Sequence, residues 1–379
     1  VVDLFKRSGI DVDEIDSATA KEATYWEGFY KDNEGEAHKV DQVRVVLSPT
    51  WESGPEWPVV QPAAAVEVRP VFPRAVGGVV GESDRRVTVI LPDPQIGYLR
   101  ISDGEMVPTH DEKAMAVALQ IVAAAQPDRV VNLGDFLDLA EWSSKFLIAP
   151  EFVLTTQAAV DRGHRFLAEQ RAAAPARAVF DLIPGNHDDR LGIAVAKNAL
   201  AALRLRRANA PETWPVLSLP NLLRLDDLDV NYAGPYPAGK LKLADAHGEQ
   251  TALFAKHGEF LDMTKQAKAS RVSTVQGHSH HDLVSTETFE DEDGRGFEVQ
   301  AHSLGCLCRL DGAVPSTKGA RGDDGRPYRR RESWQHSVGV LTETADGWWL
   351  EHVRIHDGRA LWNGRRFDAP AELPDVAAA

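Results

Sequence analysis

Cysteine is nearly absent from this chain. Two residues, Cys306 and Cys308, stand in 379. No disulfide framework can be built, which fits a reducing compartment. One residue apart, the two thiols share a face of a strand but can hardly pair with each other at normal disulfide geometry. No further cysteine helps them hold a soft metal, so buried strand thiols are the expected role. Long apolar runs are also missing. No stretch is long enough to span a bilayer, and Val1 to Asp13 lacks the apolar core of a signal peptide. The expectation is a soluble, cytoplasmic protein with no membrane contact. Positive charge is the third shortage: 42 Lys and Arg against 57 Asp and Glu leave a formal charge of -15. Such a surface repels nucleic acid as a whole, although a local basic groove and bound cations reverse the field where they lie.

What remains is ordinary for a globular chain, with 43% hydrophobic and 26% charged residues. The length suits one large domain and a smaller one. Residues 1–49 read as a small N-terminal appendage. Asp3–Arg7 predicts a short helix stopped at Ser8-Gly9. Thr24–Tyr30 and Gln42–Leu47 predict a β-hairpin around Asp32-Asn33-Glu34-Gly35. The appendage either binds a protein partner or caps the main domain. Residues 50–83, with prolines at 55, 58, 62, 70 and 73, read as an extended linker. The main domain is expected over 84–368, and residues 369–379 as a flexible tail.

Within the main domain, Val87–Leu91 and Arg129–Leu133 predict strands. Between them Ala114–Ala125 has helical spacing, opened by Asp111-Glu112. That is a βαβ unit, so the two strands are expected to be parallel. Further readings are a long helix over Phe152–Ala174, a strand over Ala178–Ile183, a helical region over Leu191–Asn209, and strand character in Leu217–Leu223 and Leu228–Tyr232. Thr251–Ala255 and Val272–Gln276 predict strands. The last third is mostly β, with Asp346-Gly347 as a hairpin turn.

Five short motifs each follow an apolar strand-like run. They are Asp93-Pro94-Gln95, Gly134-Asp135-Phe136-Leu137-Asp138, Gly185-Asn186-His187-Asp188, His257-Gly258-Glu259 and Gly277-His278-Ser279-His280. Each supplies oxygen or imidazole donors. The βαβ reading places Asp93 and Asp135 just past the C-terminal ends of adjacent strands, where open α/β sheets hold their ligands. Hydrolysis of a phosphate ester needs a nucleophile at neutral pH, charge neutralisation and a proton for the leaving oxygen. Two metal ions about 3.5–4 Å apart meet the first two needs.

In this order the motifs resemble the calcineurin-like metallophosphoesterase family, over about half of the chain. The resemblance implies an α/β fold, a four-layer αββα sandwich with the metals at one end of the strands. It implies two divalent metal ions, with Asp135 bridging them. Asp93, Gln95 and His280 would join the first, and Asn186, His257 and His278 the second. It also implies a metal-bridging hydroxide as nucleophile, His187 as general acid and Asp138 as the carboxylate that orients it. Arg190 would either touch a substrate phosphate or pair with an acidic neighbour. The family's commonest first motif is Asp-x-His. Gln95 offers an oxygen instead, which shifts the site towards Mn²⁺ or Mg²⁺, with Fe²⁺ and Zn²⁺ as the other candidates.

The motifs do not name the ester. The segment Gly305–Gly339 resembles metallophosphoesterases encoded by bacteriophages of actinobacteria, which would place the protein in a host cytoplasm. Its basic run over 318–331 lies beside Tyr328 and Trp334, a composition able to follow a DNA or RNA backbone and stack its bases. The alternative is a solvated loop balanced by Asp323, Asp324 and Glu332. The leading expectation is therefore a phosphodiesterase or nuclease. The alternatives are a phosphomonoesterase, as in a protein or small-molecule phosphatase, and a non-catalytic partner-binding module with a structural metal site.

Overall fold

The computed structural model describes residues 18–49, 81, 84–101, 104–143, 150–208, 214–315 and 331–371. The expected helix at Asp3–Arg7, the linker apart from Gly81, the basic run up to residue 330 and the tail beyond 371 lie outside those residues. The chain forms two units, Val1–Gly77 and Gly78–Ala379.

In the first unit, β1 (Ala18–Lys31) and β2 (Ala37–Pro49) form an antiparallel hairpin, from Ala18 opposite Pro49 to Lys31 opposite Ala37. Asp32 shapes the turn. Its Oδ1 accepts the N–H groups of Glu34 and Glu36, each at 3.0 Å.

The second unit begins with β3 (Arg85–Leu91) and a small hairpin, β4 (Tyr98–Arg100) with β5 (Met106–Pro108). Helix α1 (Glu112–Ala125) follows. Asp111 caps it by accepting from the N–H groups of Lys113 and Ala114. Then come β6 (Arg129–Asn132), α2 (Thr156–Ala173), β7 (Val179–Leu182), α3 (Arg190–Asn198), the helical turn α4 (Leu219–Leu222) and β8 (Val230–Tyr232). The second half holds β9 (Lys240–Ala244), β10 (Leu253–Lys256), α5 (Met263–Ser270), β11 (Ser273–Gln276), β12 (Leu283–Glu290) and β13 (Gly296–Ser303). It closes with β14 (His336–Thr344), β15 (Gly347–His356), β16 (Arg359–Trp362) and β17 (Arg365–Asp368). Two readings are corrected here. Leu219–Leu222 is a helical turn rather than a strand, with Pro220 in its first turn, where a missing N–H costs nothing. The helix expected up to Asn209 stops at Asn198, where Ala199 leaves helical backbone; a short 3₁₀ turn, Leu200–Ala202, follows, with Ala202 and Leu203 packed on the core while Leu200 and Leu205 are exposed.

Two sheets carry the unit. One has eight strands in the order β17-β16-β15-β14-β3-β6-β7-β8, and the other five in the order β12-β13-β11-β10-β9. Strands β3, β6, β7 and β8 run parallel, as do β10, β11 and β13. Period-two alternation sends successive residues into different cores. Val87, Val89 and Leu91 of β3 meet α1 and α2, while Ile90 points the other way. Ile90, Val131 and Leu133 pack instead against Leu253, Ala255 and Val275 of the five-stranded sheet. On that sheet's far face, Met263 and Ala267 of α5 cover Val299 and Ala301. The layers are thus helices, eight-stranded sheet, five-stranded sheet, helix: an αββα sandwich. No helix among the described residues is long and apolar enough to cross a membrane.

Candidate metal centre

The parallel strands β3, β6, β7, β10 and β11 all end towards the same edge of the sandwich, and each is followed by one of the five motifs. Donors from both sheets meet there. Asp93, Gln95, Asp135, His257 and His280 are buried, and Asn186 and His278 are partly so. Five of these seven residues, Asp93, Gln95, Asp135, His278 and His280, have φ between 36° and 66°. Side chains rarely adopt that backbone, and strain of this kind persists where the surroundings hold a functional geometry.

Two glycines show why the motifs read as they do. A Cβ on Gly277 would lie 1.9 Å from Asp93 Oδ2, and one on Gly185 would lie 2.2 Å from the Asp135 backbone nitrogen. The residues before His278 and Asn186 must lack a side chain because in each case another motif's aspartate occupies its place.

The donors fall into two groups that share Asp135. In one, Asp135, His257 and His278 offer ligand atoms within 4.8 Å of one another; in the other, Asp93, Asp135 and His280 do. His257 Nδ1 donates to the Leu133 carbonyl at 2.8 Å, which turns Nε2 towards the cluster. That Nε2 lies 3.2 Å from Asn186 Oδ1, 3.2 Å from His278 Nδ1 and 3.3 Å from Asp135 Oδ1. Gln95 Nε2 lies 3.2 Å from His280 Nε2, while Gln95 Oε1 is buried without a hydrogen-bond partner. A half-turn of the amide exchanges the two atoms and aims the oxygen at the same point as His280.

The electrostatics ask for positive charge at this point. Burial lowers the His257 pKa, but Asp135 and Asp93 raise it further, to about 10. Burial raises the Asp135 carboxyl, yet His187 and His257 hold it well below its ordinary value. Burial, with His257 beside it, holds His278 below the usual imidazole value. Acceptor atoms facing one another at 3.2 Å, an orphaned amide oxygen and two buried carboxylates fit divalent cations that take O and N donors.

His187 stands next to the cluster but outside both groups. Its backbone N–H donates to Asp135 Oδ1 at 2.7 Å, and its Nδ1 lies 2.9 Å from Asp138 Oδ1. Nε2 then faces the centre, 3.7 Å from Asp135 Oδ2. Arg190 Nη1 donates to the Asp138 carbonyl at 2.6 Å and lies 3.4 Å from its Oδ1. The arginine is thus buried against an acidic neighbour.

Three features were not found from the sequence. Asp188 accepts from the N–H groups of Gly185, Phe136 and Leu137 and ties two motifs together. Burial, then Asp135, push its carboxyl up to about 6. Its place in Asn-His-Asp was the only available signal. The Tyr236 ring stands edge-on to His257 at 5.9 Å, with nothing in its loop to announce it. Trp334 meets His280 edge-on at 4.2 Å. The sequence marked it as aromatic beside a basic run, not as a neighbour of a donor. Of the 318–331 run only Arg331 is among the described residues, and it is exposed.

No protein-family model matches the chain, and no curated protein matches it. Among solved structures it is similar to vacuolar protein sorting 29 from Cryptosporidium parvum, with 11% identity and a TM-score of 0.32 over 75% of this chain and 99% of that one. At that level of likeness the fold is defined by the four-layer order of sheets and helices described above.

Proposed function

We propose that this chain is a metallophosphoesterase of the calcineurin-like type, hydrolysing phosphodiesters with two divalent cations. The observation that carries the reading is the pair of donor groups sharing Asp135, with His187 held beside them and outside both. In this reading Asp93, Gln95, Asp135 and His280 hold one ion, and Asp135, Asn186, His257 and His278 the other. When bound, such a pair of dications activates water and neutralises charge on the phosphoryl oxygens. Asp138 keeps the His187 ring in one orientation and one tautomer. His187 Nε2 carries the proton to be given to the leaving oxygen. Arg190 holds Asp138 in place and acts on the substrate only through it. The burial of Asp93 and Asp135 keeps bulk water from screening their charge.

Trp334 favours diesters. An indole ring against His280 gives a base or similar planar group on a nucleic acid or nucleotide a surface to stack on. The basic run over 318–331 would add phosphate contacts. Residues 1–49 are proposed as a site for a protein partner, since Phe29 and Tyr30 on the hairpin are exposed.

The test is hydrolysis of bis(p-nitrophenyl) phosphate against p-nitrophenyl phosphate with Mn²⁺, using Asp135→Ala as control. Preference for the diester, lost in the variant, supports the proposal. Preference for the monoester moves the assignment to a phosphatase. No hydrolysis of either by protein that holds two metal ions overturns it in favour of a binding module.

A further inference from the structure

The loop that carries the fifth motif is strained. His278 and His280 have φ of 66° and 57°, a backbone that side chains rarely adopt. Such strain persists where the surroundings over-determine it. The end of the loop is fastened twice. Gln335 N–H donates to the His280 carbonyl at 3.0 Å, and Asp282 N–H donates to Gln335 Oε1 at 3.1 Å. The Asp282 side chain, 4% exposed, reaches β15 of the other sheet. There one carboxylate oxygen accepts from His352 Nδ1 and the other from Arg354 Nε. Behind His352 the network runs on into β13. His352 Nε2 lies 3.0 Å from His302 Nδ1, and His302 Nε2 lies 2.9 Å from Gln300 Oε1. Gln300 Nε2 in turn donates to Glu298 Oε1 at 2.5 Å.

These partners fix the protons on the two rings. The Glu298 carboxylate sets the Gln300 amide, so Gln300 Oε1 must accept from His302 Nε2. Asp282 must accept from His352 Nδ1. A third proton lies between His302 Nδ1 and His352 Nε2. Three N–H protons on two rings give the pair one positive charge. It rests on His352, whose ring faces the carboxylate, while burial, then His352, hold the His302 pKa down to about 3. We infer that Asp282 is the positioning residue of the fifth motif, anchoring the end of the His278–His280 loop to β15 between the imidazolium of His352 and the guanidinium of Arg354. The inference rests on the two-metal reading above and deepens it by naming what holds one donor in place. His278 has its own tie, its N–H donating to Asp93 at 3.0 Å. His280 depends on Gln335, which Asp282 holds, so His280 is the donor that moves when Asp282 lets go.

The metal-free full chain, isotope-labelled on its histidine nitrogens, is studied by NMR at neutral pH, with His352→Gln identifying the His352 signals. Both nitrogens of that ring are expected to carry protons in the wild type, and one is expected to be bare in Asp282→Asn. Equilibrium dialysis against Mn²⁺ with elemental analysis then measures each binding step. The wild type is expected to hold two ions. In Asp282→Asn one of them is expected to bind about 10–100-fold more weakly, the size of losing a partner that orients a ligand, with the other unchanged. A general loosening of the fold would weaken both equally. Arg354→Gln removes only a half-exposed contact. It is expected to shift the same step by less, and it stands in if Asp282→Asn does not fold. A neutral His352 in the wild type overturns this inference and leaves the two-metal reading standing. So do variants whose two Mn²⁺ affinities are both unchanged or both weakened equally. A wild type that binds no Mn²⁺ overturns both.

Discussion

His187 Nδ1 lies 2.9 Å from Asp138 Oδ1, and the backbone N–H of the same histidine donates to Asp135 Oδ1 at 2.7 Å. One residue thereby joins a carboxylate of the donor groups to one outside them. Its ring is oriented by Asp138 with Nε2 towards the centre. Replacing His187 by Ala is expected to lower kcat by roughly 10²–10⁴-fold, the range for losing a general acid, while bound metal is unchanged. Asp138→Ala is expected to cost about 10–100-fold, the size of losing a partner that orients a histidine. Steady-state kinetics with metal counts on both variants check this. Loss of metal from His187→Ala would make the histidine a ligand instead.

Gly277→Ala places a methyl group 1.9 Å from Asp93 Oδ2, a distance no real contact tolerates. Asp93 accepts the His278 N–H with both oxygens at 3.0 Å, so moving the carboxylate also releases that loop. The expected outcome is loss of one metal equivalent together with a fall in stability of about 1–3 kcal/mol, as for an overpacked site. Thermal unfolding and elemental analysis read both. A variant with normal metal content would show that Asp93 can shift without consequence.

Metal uptake is expected to release protons. Despite burial, Asp135 and Asp93 raise the His257 pKa to about 10, so the free ring carries a proton at neutral pH that a cation must displace. Raising the pH from 6 to 8 therefore strengthens apparent affinity, by about tenfold per unit for each proton displaced. Calorimetric titration in buffers of different ionisation enthalpy measures the number. A pH-independent affinity would contradict it.

Glu112 supplies a second pH dependence, away from the chemistry. Burial pushes its carboxyl up, but hydrogen bonds from Arg162 and His110 outweigh burial and hold it well below the ordinary glutamate value. Arg162 binds both of its oxygens, Nε to Oε1 at 2.8 Å and Nη2 to Oε2 at 2.7 Å. A depressed folded-state pKa means that the stabilisation is complete above the unfolded value and is lost as pH falls through the folded one. Glu112→Gln leaves Arg162 with Glu169 as its remaining carboxylate, 3.2 Å from Nη1, and is expected to cost about 1–3 kcal/mol at pH 7. The gap between the two proteins should narrow as the pH falls below about 4.3, the ordinary glutamate value. Urea unfolding across that range tests it, and a gap constant with pH would rule the ion pair out as its source.

The sequence by itself determined the strands that carry the five motifs, because alternating or continuous apolar runs ending in glycine or proline depend on near neighbours alone. It determined the α1 cap at Asp111 and the order of the donors for the same reason. Tertiary structure alone decided which donors meet. Gln95 and His280 stand 185 residues apart, and His257 and Leu133 stand 124 apart, yet each pair is within 3.2 Å. Whether Arg190 would face Asp138 or the substrate, whether Cys308 would lie in an apolar layer or beside His280, and where Trp334 and Tyr236 would stand were open in the sequence. Those choices depend on β14 inserting beside β3 and on the two sheets packing face to face. That packing is a sum of many weak contacts between distant segments, and no local pattern encodes it.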